Sequence, residues 1–228
     1  MIIMKNVYKK YKNGVVAANG IDIEIDLGEF VYVVGPSGAG KSTFIKMMYR
    51  EAIPTSGDII VNGINLATLR KKRIPYLRRK IGVVFQDVRL LPKLTVYENV
   101  AYALDVIEEP PVRIRKKVND VLSLVGLTQK SRMFPNELSG GEQQRVSIAR
   151  SIVNVPEVVI ADEPTGNLDP DTAWEIMQIF EQINARGTTI IMATHNKDIV
   201  NKIRHRVIAI ESGLVTRDEY GGNYSYES

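Results

Sequence analysis

The sequence predicts an α/β protein in which an antiparallel β subdomain, a parallel-sheet core and a helical lobe share one chain of 228 residues. Three observations carry that expectation. Short β-branched runs bounded by Gly, Asn and Pro crowd the N-terminal part of the chain. Apolar residues recur at helical spacing from Thr95 to about Asn136. The remainder alternates helical segments with short, wholly apolar strands, which argues a parallel sheet wrapped by crossover helices.

Taken in order, residues 2–7, 21–25, 59–61 and 81–85 read as strands of the antiparallel sheet, with Ile21-Asp-Ile-Glu-Ile25 alternating as a half-buried strand does. The unbroken apolar run 30–34 reads as a buried strand, followed by a helix over 42–50. In the lobe, Val96, Val100, Ala103, Val106 and Ile107 form one helical face, and Ile114, Val118, Val121, Leu122 and Val125 form another; Pro110-Pro111 separates them. A helix follows Ser139, then strand 158–161, a helix from Asp171, strand 188–193, a helix from Asn196 and strand 207–210. The tail 217–228, rich in Tyr, Gly, Ser and acid, reads as a fraying end. The expected organisation is one domain, with residues 1–86 and 138–228 forming the core and its β subdomain, and 87–137 the helical lobe.

Composition removes several function classes. Hydrophobic residues make up 44% and charged residues 25%, as in an ordinary globular chain. The chain has no cysteine, which excludes disulfides, thiolate zinc sites and cysteine nucleophiles, and its two histidines argue against a polyhistidine metal site. Its longest apolar runs are strand-sized, far short of the ~20 residues that cross a bilayer. Charge at Lys5 arrives too early for the ~7–15-residue apolar core of a secretory signal, so a cytoplasmic protein is expected. The net charge of +4 permits nucleic acid or acidic lipid as a partner and requires neither; nucleic acid is not expected. Residues 70–80 hold seven basic side chains and no acid. A solvated face accounts for them, and attraction to anionic headgroups, worth about 1 kcal/mol per basic residue, is the alternative.

The chemistry concentrates in Gly35-Pro36-Ser37-Gly38-Ala39-Gly40-Lys41-Ser42, which matches G-x-x-x-x-G-K-[ST] between an apolar strand and a helix. Backbone N–H groups and a helix N-terminus converge on an anion there, the glycines let the chain approach closely, and Lys41 adds a point charge. Ser42 is expected to place its hydroxyl on Mg²⁺. A second site follows the apolar run 158–161, where Asp162 suits the Mg²⁺ shell and Glu163 can act as base toward a water at the γ-phosphate.

With Leu138-Ser-Gly-Gly-Glu-Gln143 added to these two segments, the chain resembles the ABC-type ATPases over essentially its whole length. Tyr11, Gln86, Gly166-Asn-Leu-Asp169 and His195 fall in the family's order around them. The resemblance implies a nucleotide-dependent head-to-tail homodimer, with ATP held between the cradle of one copy and Ser139, Gly140 and Gly141 of the other. Ser139 is a good helix N-cap, and the N–H groups behind it suit a γ-phosphate. Tyr11 is implied to stack on adenine, Thr43 to bind the α-phosphate, Gln86 to complete the Mg²⁺ shell, His195 to contact the γ-phosphate, and Asp169 to touch the partner copy. His205 matches nothing in the family and reads as structural.

Within the family, residues 161–169 resemble a branch that serves cell division together with lipoprotein and macrolide export. Segments 34–44, 49–51, 84–87, 90–99 and 192–196 favour the cell-division members, with an exporter ATPase as the alternative. That resemblance implies peripheral attachment to the cytoplasmic face of the membrane at the division site, through an integral membrane partner that docks on lobe 87–137. It further implies control of cell-wall hydrolases across the membrane.

Overall fold

The computed structural model describes residues 1–224 as two sheets and seven α-helices. Strands β1 (Ile2–Lys10), β2 (Val16–Ile25), β4 (Ser56–Val61) and β5 (Ile64–Asn65) form an antiparallel sheet in the order β2-β1-β4-β5. Strands β3 (Phe30–Val34), β6 (Ile81–Val84), β7 (Val158–Asp162), β8 (Thr189–Ala193), β9 (Arg206–Glu211) and β10 (Leu214–Glu219) form the second sheet, in the order β10-β9-β3-β8-β7-β6. It is parallel except at β10, which runs antiparallel to β9.

The central strands are apolar throughout because both of their faces are covered. Along β3, Phe30, Tyr32 and Val34 enter a core with helices α3 (Val96–Asp105), α4 (Pro111–Leu124), α5 (Gly140–Ile152) and α6 (Pro170–Asn184). Val31 and Val33 point the other way, into a second core built with α1 (Lys41–Met48) and the antiparallel sheet. Two short helices, α2 (Ile74–Arg79) and α7 (Lys197–Lys202), complete the fold.

Three sequence expectations are corrected. The run 81–85 pairs in parallel with Val158–Ala161 at the edge of the second sheet, rather than with the antiparallel strands. A β-branched run announces a strand but not its partner, and here the deciding feature is Gly82, where a Cβ would lie 2.5 Å from the Ser151 carbonyl oxygen of α5. The tail is also ordered further than its composition suggests. Arg206, 8% exposed, donates to both Asp218 carboxylate oxygens at 2.7 Å and to Glu29 at 2.7 Å, which pins β10 to the sheet. Tyr224 is buried, with its N–H on Asn201 Oδ1 at 2.8 Å; residues 225–228 lie outside the described residues. Val106, expected on the buried face of the first lobe helix, is exposed just past the end of α3.

His205 stacks on Phe30, with ring centroids 4.4 Å apart, and meets Glu181 Oε1 at 2.7 Å. Those contacts account for it as a packing residue. Among the described residues no helix is long and apolar enough to cross a membrane.

Candidate active site

Four neighbouring parallel strands deliver their C-terminal ends to one place: β3 leads into Gly35, β6 into Gln86, β7 into Asp162 and Glu163, and β8 toward His195. Ligands in open α/β sheets bind outside such strand ends. The loop after β3 turns sharply. A Cβ at Gly35 would sit 2.1 Å from the Ile210 carbonyl oxygen, and one at Gly40 (φ +109) would sit 2.3 Å from the Ala17 carbonyl oxygen. Both positions therefore require glycine. Gly40 then accepts the Phe44 N–H at 2.8 Å and opens α1 toward the loop. Lys41 Nζ donates to the carbonyls of Gly35 (2.7 Å) and Pro36 (3.0 Å), which holds the cation at the mouth of the loop.

The resulting cavity, about 300 Å³, is lined by Tyr11, Ser37, Gly38, Lys41, Gln86 and Glu163 among others. Tyr11 stands over it because its own N–H and carbonyl close the turn 11–15, in which Gly14 takes φ +87. The Tyr11 hydroxyl meets Thr43 Oγ1 at 3.1 Å. Val15, 52% exposed, extends this aromatic wall; sequence reasoning passed over it, although the Tyr-Lys-Asn-Gly turn signals that the chain doubles back there.

Opposite the cradle, Ser42 Oγ donates to Asp162 Oδ1 at 3.3 Å. Burial pushes the Asp162 carboxyl up from its ordinary value, against the opposing pulls of the Ser42 hydroxyl, Lys46 and Lys41. Glu163 follows with a left-handed backbone (φ +50), held by its N–H on the Ala193 carbonyl at 2.9 Å. Its Oε2 accepts the His195 backbone N–H at 3.3 Å and lies 2.5 Å from His195 Nδ1. Gly166 sits among these groups: a Cβ there would be 3.5 Å from Gln86 Nε2 and 3.6 Å from His195 Cε1.

Mg²⁺ suits this donor set. Ser42, Asp162 and Gln86 offer hard oxygens with a single carboxylate, and among the described residues no cluster of three or more His, Cys, Asp or Glu could hold a metal alone. Such a set matches an ion that keeps waters and shares substrate phosphates.

Ser139, Gly140, Gly141 and Asp169 are not brought to the cradle. Ser139 caps α5 in a reciprocal box, its Oγ accepting the Glu142 N–H at 3.3 Å while Glu142 Oε2 accepts the Ser139 N–H at 3.0 Å. The Lys130 ammonium, 2.5 Å from Glu142, holds that carboxyl below its ordinary range. At Gly141 a Cβ would lie 2.3 Å from Thr172 Cγ2, so α5 and α6 touch at this end. Asp169 caps α6, accepting the Thr172 N–H at 3.0 Å. Ser139 and Gly141 line a separate polar pocket of about 220 Å³. One copy thus carries two separate polar cavities, one at the cradle and one at the start of α5.

A sequence model of the family described as ABC transporter matches residues 18–166, well over half of the chain and including the cradle, Ser139 and both strand-end carboxylates. The chain belongs to the ABC transporter family. It is similar to the cell division ATP-binding protein FtsE of Bacillus subtilis, at 68% identity over all of both chains. It is also 61% identical to the protein of that name in Streptococcus pneumoniae serotype 2, over 100% of this chain and 99% of the relative. Among solved structures, a dimeric ATP-binding cassette in a post-hydrolysis state, bound to ADP and Pi, superposes with a TM-score of 0.88 at 35% identity. That match covers 98% of this chain and 100% of that one.

Proposed function

We propose that this chain is the ATP-binding and ATP-hydrolysing subunit of an FtsE–FtsX-like cell-division complex at the membrane. The observation that carries the reading is full-length similarity to FtsE in a chain that keeps the cradle and the Glu163–His195 pair together at the strand ends. The exporter alternative falls behind, because relatives at 61 and 68% identity bear the cell-division name.

In this reading the N–H groups of the loop 35–40 and the Lys41 ammonium hold the phosphates, Thr43 reaches the α-phosphate, and Tyr11 packs on the adenine. Ser42, Gln86 and Asp162 hold Mg²⁺, which neutralises phosphate charge when bound. Glu163 accepts a proton from the attacking water at its carboxylate, and its bond to His195 Nδ1 keeps that carboxylate aimed. His195, with 60% of its side chain exposed, remains free to reach the γ-phosphate. The separate pocket at Ser139 and Gly141 supports a role for a second copy, whose helix N-terminus closes on the γ-phosphate held by the first while Asp169 meets the opposing copy. Nucleotide-dependent closure of a homodimer follows, and hydrolysis releases it.

A groove beside lobe 87–137 supports docking of a membrane partner. About 480 Å³ in volume, it runs between the β6 edge and helices α3 and α5, lined by Tyr49, Arg79, Phe85, Arg89, Leu91 and Tyr102. Its walls are mainly apolar with a basic rim, which fits a short amphipathic segment of an FtsX-like integral protein. The basic stretch 70–80 adjoins this rim, with Arg73 and Arg79 both lying over the exposed Tyr76 ring, so the docked ATPase presents positive charge to the cytoplasmic leaflet. Attachment is peripheral and at the division site, and the partner passes the cycle to cell-wall hydrolases outside.

Capture from native membranes with the Glu163→Gln protein held in ATP tests the reading. Recovery of an FtsX-like integral protein supports it, and recovery of an exporter permease in its place overturns the cell-division assignment.

A further inference from the structure

Gln86 stands at the head of a loop whose next turn is unusual. Val88 and Arg89 both hold left-handed backbones, at φ +49 and +51. A β-branched residue in that region is a genuine outlier, and it persists only where its surroundings impose it. The turn is closed locally by the Arg89 N–H on the Asp87 carbonyl at 2.5 Å, and Arg150, reaching across from α5, adds a long-range constraint: Nη2 donates to the Val88 carbonyl at 3.1 Å and Nη1 to the Arg89 carbonyl at 2.9 Å. Among the described residues no carboxylate pairs with this guanidinium, and burial holds its pKa below the ordinary value. A half-buried cation without a carboxylate partner is costly to keep, and the two carbonyls compensate it. The far end of the loop is fixed separately by buried Asn99, which accepts the Leu91 N–H at 2.8 Å and donates to the Leu91, Leu94 and Thr95 carbonyls.

We propose that Arg150 is a positioning residue for hydrolysis, whose guanidinium clasps the strained Val88–Arg89 turn and so sets Gln86 toward the nucleotide. The inference rests on the reading that Gln86 serves Mg-ATP hydrolysis. The same turn faces the groove, which both Arg89 and Arg150 line, so whatever occupies the groove bears directly on the clasp.

Lysine keeps the charge at 150 but replaces the planar fork, whose two nitrogens each reach one carbonyl, with a single ammonium on a stem of different reach. Proline at 88 breaks the turn from the loop side, since its φ is locked near −65°, and glycine there takes the left-handed backbone freely. Steady-state hydrolysis and hydrogen–deuterium exchange of the nucleotide-free protein over residues 86–91 test the proposal. In Arg150→Lys and in Val88→Pro, kcat falls about tenfold with KM within about twofold, while exchange over 86–91 accelerates about tenfold. Val88→Gly keeps the wild-type kcat. If Arg150→Lys does not fold, Val88→Pro decides the matter, because position 88 lies on a half-buried loop. Wild-type kcat or exchange in Val88→Pro, alongside a slow Gln86→Ala protein, overturns the clasp. A Gln86→Ala protein with wild-type kcat removes instead the functional reading on which it rests.

Discussion

His195 and Glu163 are joined twice: the His195 backbone N–H and the ring Nδ1 both address the same carboxylate oxygen, Oε2, at 3.3 and 2.5 Å. The two residues end adjacent parallel strands, so the register of Asp162 against Ala193 places the pair before any side chain rotates.

In the proposed mechanism, replacing Glu163 with Gln keeps the side chain's size and removes the proton acceptor. Nucleotide affinity is expected to stay near wild type while kcat falls by about two to four orders of magnitude, the range for losing a general base. Equilibrium binding of ATP with single-turnover hydrolysis separates the two effects.

In the proposed site Lys41→Ala removes a charge-assisted contact to phosphate, worth about 1.5–3 kcal/mol, and is expected to weaken ATP binding by about one to two orders of magnitude. Gly40→Ala weakens it too, for a different reason: the new Cβ meets the Ala17 carbonyl at 2.3 Å in a backbone with φ +109. Titration calorimetry measures both, and a Gly40→Ala protein with unchanged affinity would show that the loop yields.

Arg206→Ala leaves Glu29 and Asp218 facing each other without their cation. A loss of about 3 kcal/mol is expected, the lower end for breaking a buried pair, read as a drop in the midpoint of denaturant unfolding. Hydrogen exchange over β10 localises the damage.

The Glu142 carboxyl, depressed by Lys130 and by the Ser139 N–H, stabilises the fold most fully above its unfolded value of about 4.5. That contribution disappears as pH falls through the lower folded value. Glu142→Gln keeps the reciprocal cap but loses the ion pair with Lys130, and therefore costs about 0.2–1 kcal/mol at pH 7. The gap from wild type closes below pH 4.5. Urea unfolding of both proteins across that range checks the sign.

The cradle, the two carboxylates after β7 and the capped helix at Ser139 were legible in the sequence because each is a local pattern. Glycine at a sharp turn, acids after an apolar run and a Ser followed three residues later by Glu carry their physics in a few neighbouring positions. The buried strands were legible for the same reason, by their unbroken apolar runs. Their pairing was not: β6 announces itself as a strand, yet its place beside β7 depends on Gly82 letting α5 approach. The closing strand β10 rests on Arg206 meeting Glu29, 177 residues away. The Arg150 clasp spans more than 60 positions, onto Val88 and Arg89, whose left-handed backbones nothing in their own identity foretells. Short-range propensity and periodicity thus determined which elements and which phosphate chemistry this chain carries. Strand order, the Glu163–His195 pairing and the anchoring of the Val88–Arg89 turn by Arg150 were decided by tertiary packing, since each depends on contacts between groups that only the folded chain brings together.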